Sequence, residues 1–292
     1  MTPGDAVSPA EPRLDPGARI GTVALTVADL SRAQDFYQRV LGMAVLDDSG
    51  VELVLGAGAT PLLTLRGDPG AAPRDRRQTG LFHFAVRVPG QTDLARALVG
   101  LARARWPLSG ASDHLVSEAL YLDDPDGNGI EIYRDRPREQ WGETAAGEVE
   151  MSTLPLDLDR LLSSLGDDLP DLAALPAGTD MGHVHLQVAD LAAVEPFYTA
   201  VLGFDVRARS YPGALFVAAG GYHHHVGLNV WNSRGGTAPG PGAVGLRWFE
   251  LHAGAGLDGV LERVETAGLT MEPQDGGMLV RDSSANAVLL RA

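Results

Sequence analysis

Alternation of apolar and polar residues with a period of two marks four segments of the chain, and it predicts strands that are buried on one face. These segments are 20–27, 80–88, 183–188 and 245–251. Each is followed by a stretch with apolar residues at helical spacing and then by further short alternating stretches. The pattern therefore predicts a strand, a helix and three more strands, repeated four times along the chain.

The first and third of these units are copies of one another. Residues 20–46 and 181–206 align at a constant offset, and Asp29 and Asp190 fit helix N-caps in both copies. The identical pairs are Gly21/Gly182, Val27/Val188, Asp29/Asp190, Leu30/Leu191, Phe36/Phe197, Tyr37/Tyr198, Leu41/Leu202 and Gly42/Gly203. The duplication predicts two homologous domains, one at about 18–136 and one at about 181–292.

Each predicted domain contains two βαβββ units, so the fold class is α+β with four such units. The remaining predicted elements are a helix at 91–104, strands within 119–133 around the turn at Asp124, a helix at 257–268 and strands within 278–291. Residues 1–17 are expected to be a flexible N-terminal tail. Residues 137–180 are expected to be a linker that contains a short helix near 156–165.

Composition excludes several classes of protein. The chain has 292 residues, of which 45% are hydrophobic and 21% charged, as in folded globular proteins. It has no cysteine, which excludes disulfides and thiolate metal sites. The net charge of −15 is unfavourable for binding nucleic acid. No apolar run approaches the roughly 20 residues of a membrane span, and the first residues lack the apolar stretch of a signal peptide. We therefore expect no membrane association and a cytoplasmic location.

The motif ADLxxxxxFYxxVLG after the first strand, together with the paired units, resembles the vicinal oxygen chelate superfamily. This superfamily includes glyoxalase I, fosfomycin resistance proteins, bleomycin-binding proteins and extradiol ring-cleaving dioxygenases. The resemblance implies tandem glyoxalase-like domains, in which the units form cup-shaped mixed sheets with helices outside. It also implies a divalent metal in the cup, bound by residues of the first and last strand of each unit.

A second motif resembles the signature of extradiol dioxygenases. It runs from His114 through Tyr121 and the turn Asp124-Pro-Asp-Gly to Glu131. Ser112 departs from the residues that the signature prefers at that position. The combination is most similar to bacterial two-domain proteins of the catechol 2,3-dioxygenase group, and it implies catalytic roles for His114 and Tyr121.

The ligand positions that the resemblance implies select one pairing of units. The first strands offer Thr22, His83, His183 and Trp248, and the last strands offer Glu131 in unit two and Leu289 in unit four. Only units two and three together supply two imidazoles and one carboxylate, a set that suits non-haem Fe(II) with open positions. We therefore expect one metal per chain, bound by His83, Glu131 and His183 between the two domains. Units one and four would form a metal-free half, and Mn(II) is an alternative to Fe(II).

Other candidates come from the histidine-rich end of unit three. His223 and His225 share one face of an alternating segment and are candidate catalytic acid/base groups, whereas His224 is expected to face solvent. His185 and Asn229 are candidate substrate contacts. The alternative interpretations are structural: a histidine that stabilises a loop at His114, and ordinary strand packing of Tyr121.

The predicted function is that of an Fe(II)-dependent extradiol dioxygenase, which opens an aromatic diol with O₂ to give a semialdehyde. One alternative is a non-redox, glyoxalase-like lyase or isomerase. Such sites usually have a fourth protein ligand, often a second carboxylate, and here His223 or His225 could fill that place. Another is a metal-free protein that binds a small molecule or drug, although such a protein needs no set of three ligands. A homo-oligomer is an open alternative, because four units in one chain already complete a site.

Overall fold

The computed structural model describes residues 13–166 and 174–292, which form seventeen strands and five α-helices. Unit one contains β1 (Arg19–Val27), α1 (Leu30–Arg39), β2 (Ala44–Asp48), β3 (Glu52–Ala57) and β4 (Thr60–Gly67). Unit two contains β5 (Gly80–Arg87), α2 (Gln91–Ala104), β6 (Gly110–Asp113), β7 (Ser117–Asp123) and β8 (Gly129–Asp135). The segment that follows contains β9 (Leu154–Pro155) and α3 (Leu158–Ser163).

The second half repeats this order. Unit three contains β10 (Asp180–Gln187), α4 (Leu191–Pro196), β11 (Asp205–Ala208), β12 (Ala214–Ala218) and β13 (Val226–Asn229). Unit four contains β14 (Gly245–His252), α5 (Leu257–Thr266), β15 (Glu272–Gln274), β16 (Gly277–Arg281) and β17 (Ala287–Arg291). Helix α4 continues as a π-helical turn over Phe197–Val201. In this turn the backbone hydrogen bonds join residues five apart, whereas those of an α-helix join residues four apart.

The units pair across the duplication. One sheet has the strand order β15-β16-β17-β14-β1-β4-β3-β2 and therefore joins unit four to unit one. The other has the order β11-β12-β13-β10-β5-β8-β7-β6-β9 and joins unit three to unit two. In both sheets the two first strands are antiparallel neighbours, and each first strand lies parallel to the last strand of its own unit. The pairing of unit two with unit three, which the ligand positions required, is the pairing in the structure.

Period-two alternation builds the core. Along β5, Phe84 and Val86 are fully or almost fully buried, and α1 adds Phe36 and Tyr37 to the same continuous apolar core. This core contains residues of both sheets and of the helices that cover them. Burial of this apolar surface is the main stabilising contribution to the fold.

The repeated Tyr and Asp of the duplicated motifs join neighbouring units. Tyr37 of α1 donates a hydrogen bond of 2.8 Å to Asp124 in the turn between β7 and β8. Tyr198 of unit three donates one of 3.0 Å to Asp282 in the corresponding turn of unit four. Each carboxylate also accepts backbone N–H groups of its own turn. The Phe-Tyr motif therefore has a structural role in holding two units of one domain together.

Two segments outside the units pack against them. Residues 13–17 belong to the predicted N-terminal tail, yet Leu14 is buried and its N–H bonds to the carbonyl of Gly203 in unit three. The segment after unit two adds β9 to the edge of the second sheet, and Arg160 of α3 forms an ion pair with the buried Glu118. Residues 1–12 and 167–173 of these segments lie outside the described residues. No helix of the described part of the chain is long and apolar enough to cross a membrane.

Candidate metal centre and substrate cavity

Three adjacent strands bring the predicted metal ligands together. His83 lies on β5, Glu131 on β8 and His183 on β10, and all three side chains are buried. Their strand neighbours Phe84 and Ile130 point to the apolar core on the other face of the sheet, because successive side chains of a strand alternate between faces. The polar residues are thereby forced into the concave face of the sheet.

The three side chains converge on one point. The Nε2 atom of His83 lies 3.0 Å from Oε2 of Glu131, and Nε2 of His183 lies 3.1 Å from the same oxygen. One ligand atom from each residue falls within 4.8 Å of the other two. Burial raises the pKa of Glu131, but the two imidazoles outweigh it, so the pKa lies well below its ordinary value. Burial lowers the pKa of His183 to about 4, which keeps its imidazole in the neutral, metal-binding form.

This donor set fits a divalent transition metal. Two imidazoles direct nitrogen atoms at a single carboxylate oxygen, and Nε2 of the buried His83 has no hydrogen bond of acceptable geometry. Buried polar atoms are nearly always hydrogen-bonded, so an unpartnered one requires an explanation. A metal bound by His83, Glu131 and His183 would provide it, and two His with one carboxylate is the ligand set of many non-haem Fe(II) sites.

The symmetry of the sheet identifies the position of a fourth ligand. Glu131 lies opposite Ala85, which in turn lies opposite His183 on the neighbouring first strand. The corresponding position of unit three lies opposite His185, and it is Gly227. A Cβ atom at Gly227 would lie 2.9 Å from the ring of His185. The fourth position therefore has no side chain, and the ring of His185 occupies the adjacent space.

The corresponding positions of the other sheet have no metal-binding side chains. They are Thr22 and Thr64 of unit one and Trp248 and Leu289 of unit four. Trp248 and Leu289 pack into a small apolar cluster with Ala24 and Leu279. The second cup is thus filled by its own side chains.

A cavity of about 410 Å³ opens in front of His83 and Glu131. Ligand sites of about 300–1,000 Å³ are typical of drug-sized molecules, so the space is larger than a metal alone requires. Its walls come from both domains and from residues 151–153 of the segment between them. That segment shows no periodicity in the sequence, so its contribution to the cavity could not be predicted.

The cavity contains a hydrogen-bonded Tyr–His pair. The Nδ1 atom of His114 lies 2.6 Å from the carbonyl oxygen of Ser152, and its Nε2 atom lies 2.6 Å from Oη of Tyr121. A carbonyl only accepts, so Nδ1 carries the proton and the neutral ring accepts at Nε2 from the tyrosine. Burial, followed by the charge of Glu131, raises the pKa of Tyr121 well above its ordinary value. The phenol therefore stays protonated and able to donate.

The histidines at 223–225 are placed differently from the expectation. His224 lines the cavity and lies with its ring 4.1 Å from that of His183, so the prediction that it faces solvent is wrong. His223 bonds to Asp135, and Nδ1 of His225 accepts the N–H of Ala219; neither ring lines the cavity. The strand begins only at Val226, so period-two alternation does not apply to this irregular segment.

The tautomer of His224 follows from its partner. Nε2 of His223 lies 2.9 Å from Oδ1 of Asp135, which only accepts, so this nitrogen is protonated. In neutral His223 the other nitrogen, Nδ1, must then accept the N–H of His224 Nδ1 at 2.9 Å. A neutral imidazole carries one N–H, and in His224 it is at Nδ1. Nε2 of His224 therefore has no proton and can accept one.

The two predicted substrate contacts differ in position. His185 lines the cavity beside Phe82 and Trp231. Asn229 is fully buried outside it, where its Oδ1 atom accepts the N–H of Trp231. Asn229 therefore contacts the cavity only through the residue that it holds in place.

Comparisons with known proteins agree with this fold. Residues 19–132 and 180–283 match the model of the Glyoxalase/Bleomycin resistance protein/Dioxygenase superfamily. A Bacillus subtilis (strain 168) protein named Catechol-2,3-dioxygenase is 42% identical over 276 residues, which cover 92% of this chain and 95% of that protein. A solved structure from Bacillus subtilis subsp. subtilis str. 168 is similar with a TM-score of 0.64 at 17% identity, covering 96% of this chain and 86% of that chain. Glyoxalase I from Zea mays is similar with a TM-score of 0.56 at 16% identity, covering 94% and 92%.

Proposed function

The chain belongs to the glyoxalase/bleomycin resistance protein/dioxygenase superfamily, and from that membership and its site we propose that it is an extradiol dioxygenase. In this proposal His83, Glu131 and His183 hold Fe(II), and the substrates are an aromatic diol and O₂. The relative that is 42% identical carries the name of such an enzyme. The ring bond beside the diol is cleaved and both oxygen atoms enter the product.

The observation that carries the proposal is the three-residue ligand set with Gly227 at the fourth position. A centre with three protein ligands leaves room for both oxygens of a diol and for O₂. A non-redox, glyoxalase-like centre would be expected to have a fourth side chain there, and Gly227 offers none. A metal-free binding protein would not require three buried ligands that converge on one point.

When bound, Fe(II) would lower the pKa of the diol hydroxyls and bring the diol and O₂ together. The residues of the chain then orient the diol and accept its proton. Tyr121 donates its one O–H to Nε2 of His114, whose orientation is fixed by the carbonyl of Ser152, so Oη offers a lone pair to a hydroxyl of the diol. We assign the role of proton acceptor to Nε2 of His224, in place of His223 and His225, because His224 is the one of the three that lines the cavity.

Metal content and oxygen uptake test this proposal. The protein is purified without air, loaded with Fe(II), and supplied with catechol and O₂. We expect about one iron per chain, oxygen uptake and a yellow ring-opened product. His183→Ala should lose both metal and activity, whereas the matched variant Thr22→Ala in the other sheet should keep both.

Three results would contradict the proposal. If His183→Ala kept its metal and Thr22→Ala lost it, the metal would lie in the sheet of units one and four. Stoichiometric iron without oxygen uptake, across a panel of catechols, would exclude the reaction. A preference for zinc or nickel with turnover that consumes no O₂ would favour a lyase or isomerase; loading with Mn(II) in parallel distinguishes manganese from iron.

A further inference from the structure

We propose that the diol carries an uncharged apolar substituent, and that the cavity selects against diols that carry a carboxylate. The inference rests on the proposed function, because it concerns the substrate of that same site. It is drawn from the apolar residues that line the cavity together with the proposed metal ligands His83 and Glu131.

Five of these residues, which we call the distal wall, are Val116, Met151, Tyr211, Phe216 and Trp231. Four of these five residues, all but Trp231, belong to one apolar cluster. Trp231 packs edge-on against Phe82, with ring centroids 5.3 Å apart, and its ring centroid lies 6.1 Å from that of Tyr211. The distal wall therefore offers mainly aromatic, aliphatic and thioether surface.

Trp231 is the exposed member of the distal wall. It keeps 42% of its surface accessible, although its Nε1 already donates to the carbonyl of Pro212. Trp231 lines the cavity, and its one polar side-chain atom already has a partner. An apolar group that extends from the diol would cover this ring and gain the free energy of burying it.

The described lining of the cavity has no positive side chain to receive a carboxylate. The chain has no lysine, and none of the described arginines lines this cavity. The polar groups near the distal wall are the imidazoles of His185 and His224 and hydroxyls such as that of Thr153, which bonds to Oη of Tyr211 at 2.8 Å. A carboxylate at the distal wall would lose its hydration without gaining the guanidinium or ammonium partner that a buried carboxylate requires.

Arg74 and Arg76 line a second cavity of about 230 Å³, which shares Phe82, His83, Ser109 and Tyr121 with the first. Both already have partners. Arg74 donates to the carbonyls of Leu81 and Gly127, and Arg76 pairs with Asp123 at 2.8 Å. A substrate carboxylate that reached this space would have to displace one of these contacts.

Binding of a diol series without oxygen tests the inference independently of turnover. The Fe(II)-loaded protein is titrated calorimetrically in the absence of air with catechol, 4-methylcatechol, longer 4-alkylcatechols and 3,4-dihydroxybenzoate. Burial of one methylene contributes about 0.8 kcal/mol, so each added carbon should lower Kd about fourfold until the distal wall is covered. The Kd of 3,4-dihydroxybenzoate should be on the order of 100-fold higher than that of 4-methylcatechol.

Trp231→Ala should flatten the dependence of Kd on alkyl length. Leu154→Ala, at an equally exposed apolar residue that does not line the cavity, should leave it unchanged. A flat alkyl series in the unmodified protein, or 3,4-dihydroxybenzoate binding as tightly as 4-methylcatechol, would overturn the inference while leaving the dioxygenase proposal intact. Failure of every diol to bind the iron-loaded protein, together with absence of oxygen uptake, would overturn the proposed function and this inference with it.

Discussion

Replacement of Gly182 by alanine should disturb both the fold and the metal centre. Gly182 precedes the proposed metal ligand His183 on β10, and a Cβ atom there would lie 1.8 Å from Oη and 2.6 Å from Cζ of Tyr133. Tyr133 cannot easily yield, because it is fully buried, its Oη bonds to Tyr222 at 2.7 Å, and its ring packs 4.8 Å from that of His183. Overpacking of about 1–3 kcal/mol and a lost hydrogen bond of about 1 kcal/mol give an expected destabilisation of about 2–4 kcal/mol.

The matched control is Gly21→Ala at the equivalent position of unit one. A Cβ atom there meets the ends of Glu250 and His252 at 2.5 Å. These are the ends of side chains and can move more easily than the ring of Tyr133, although Glu250 is buried and its carboxylate accepts the N–H of Thr22 and pairs with Arg291, so we expect a cost of about 1 kcal/mol. Urea unfolding measures both variants, and metal analysis should show loss of metal in Gly182→Ala alone. The double variant Gly182→Ala/Tyr133→Phe should recover part of the stability. It removes the contact of the new Cβ atom with Oη, whereas the contact with Cζ of the ring remains. Equal destabilisation by the two glycine variants, or full metal content in Gly182→Ala, would refute the reasoning.

Three further predictions concern buried polar groups. Tyr37→Phe removes a hydrogen bond to the buried Asp124 and should cost about 1–3 kcal/mol in urea unfolding; an unchanged midpoint would contradict the structural role of the motif. Burial lowers the pKa of His225 to about 3, so below its ordinary pKa of 6.5 the unfolded chain binds a proton that the folded chain does not. Stability is therefore lost as the pH falls from about 6.5 towards 3, by about 1.4 kcal/mol at pH 5.5. His225→Asn keeps an acceptor for the N–H of Ala219 but does not titrate in this range. The free energy of unfolding should therefore fall less between pH 7.5 and pH 5.5 in this variant than in the unmodified chain. An equal fall in both would contradict the role of His225. Glu131→Leu copies the residue of unit four, and the free energy of unfolding of the metal-free variant should lie within about 1 kcal/mol of that of the unmodified chain. Added Fe(II) should raise the thermal unfolding midpoint of the unmodified chain only.

Much of the fold could be predicted because its signals are local and repeated. Alternation along each first strand and the duplicated ADLxxxxxFYxxVLG motif gave the α+β class and the four units, and this prediction is confirmed. The helix predicted at 91–104 has those bounds in the structure. The π-helical turn after α4 was not predicted, since Pro196 interrupts the hydrogen-bond spacing in a way that apolar periodicity does not reveal.

The candidate site was predictable only where it lies on regular strands. His83, Glu131 and His183 occupy such strands, and their side chains lie together in the structure, while their role as ligands stays a prediction. The segment 223–225 follows Gly220 and Gly221, whose φ angles of 59° and 69° turn the chain before the strand begins. Alternation could not give the direction of a side chain there. Nothing in the sequence indicated that Gly227 would face the site, because a glycine shows no polarity.

The two sheets of this chain show how one scaffold separates stability from chemistry. The sheet of units one and four fills its concave face with Trp248 and Leu289, which pack as an additional small core. The sheet of units two and three instead buries two imidazoles and a carboxylate, whose desolvation opposes folding unless a metal binds. Because each duplicated domain contributes one unit to each sheet, the apolar sheet helps to hold the domains in the arrangement that places His83 and Glu131 beside His183. His83 and Glu131 of one domain can therefore lie beside His183 of the other domain, although the contacts among these three residues do not themselves have to hold the two domains together.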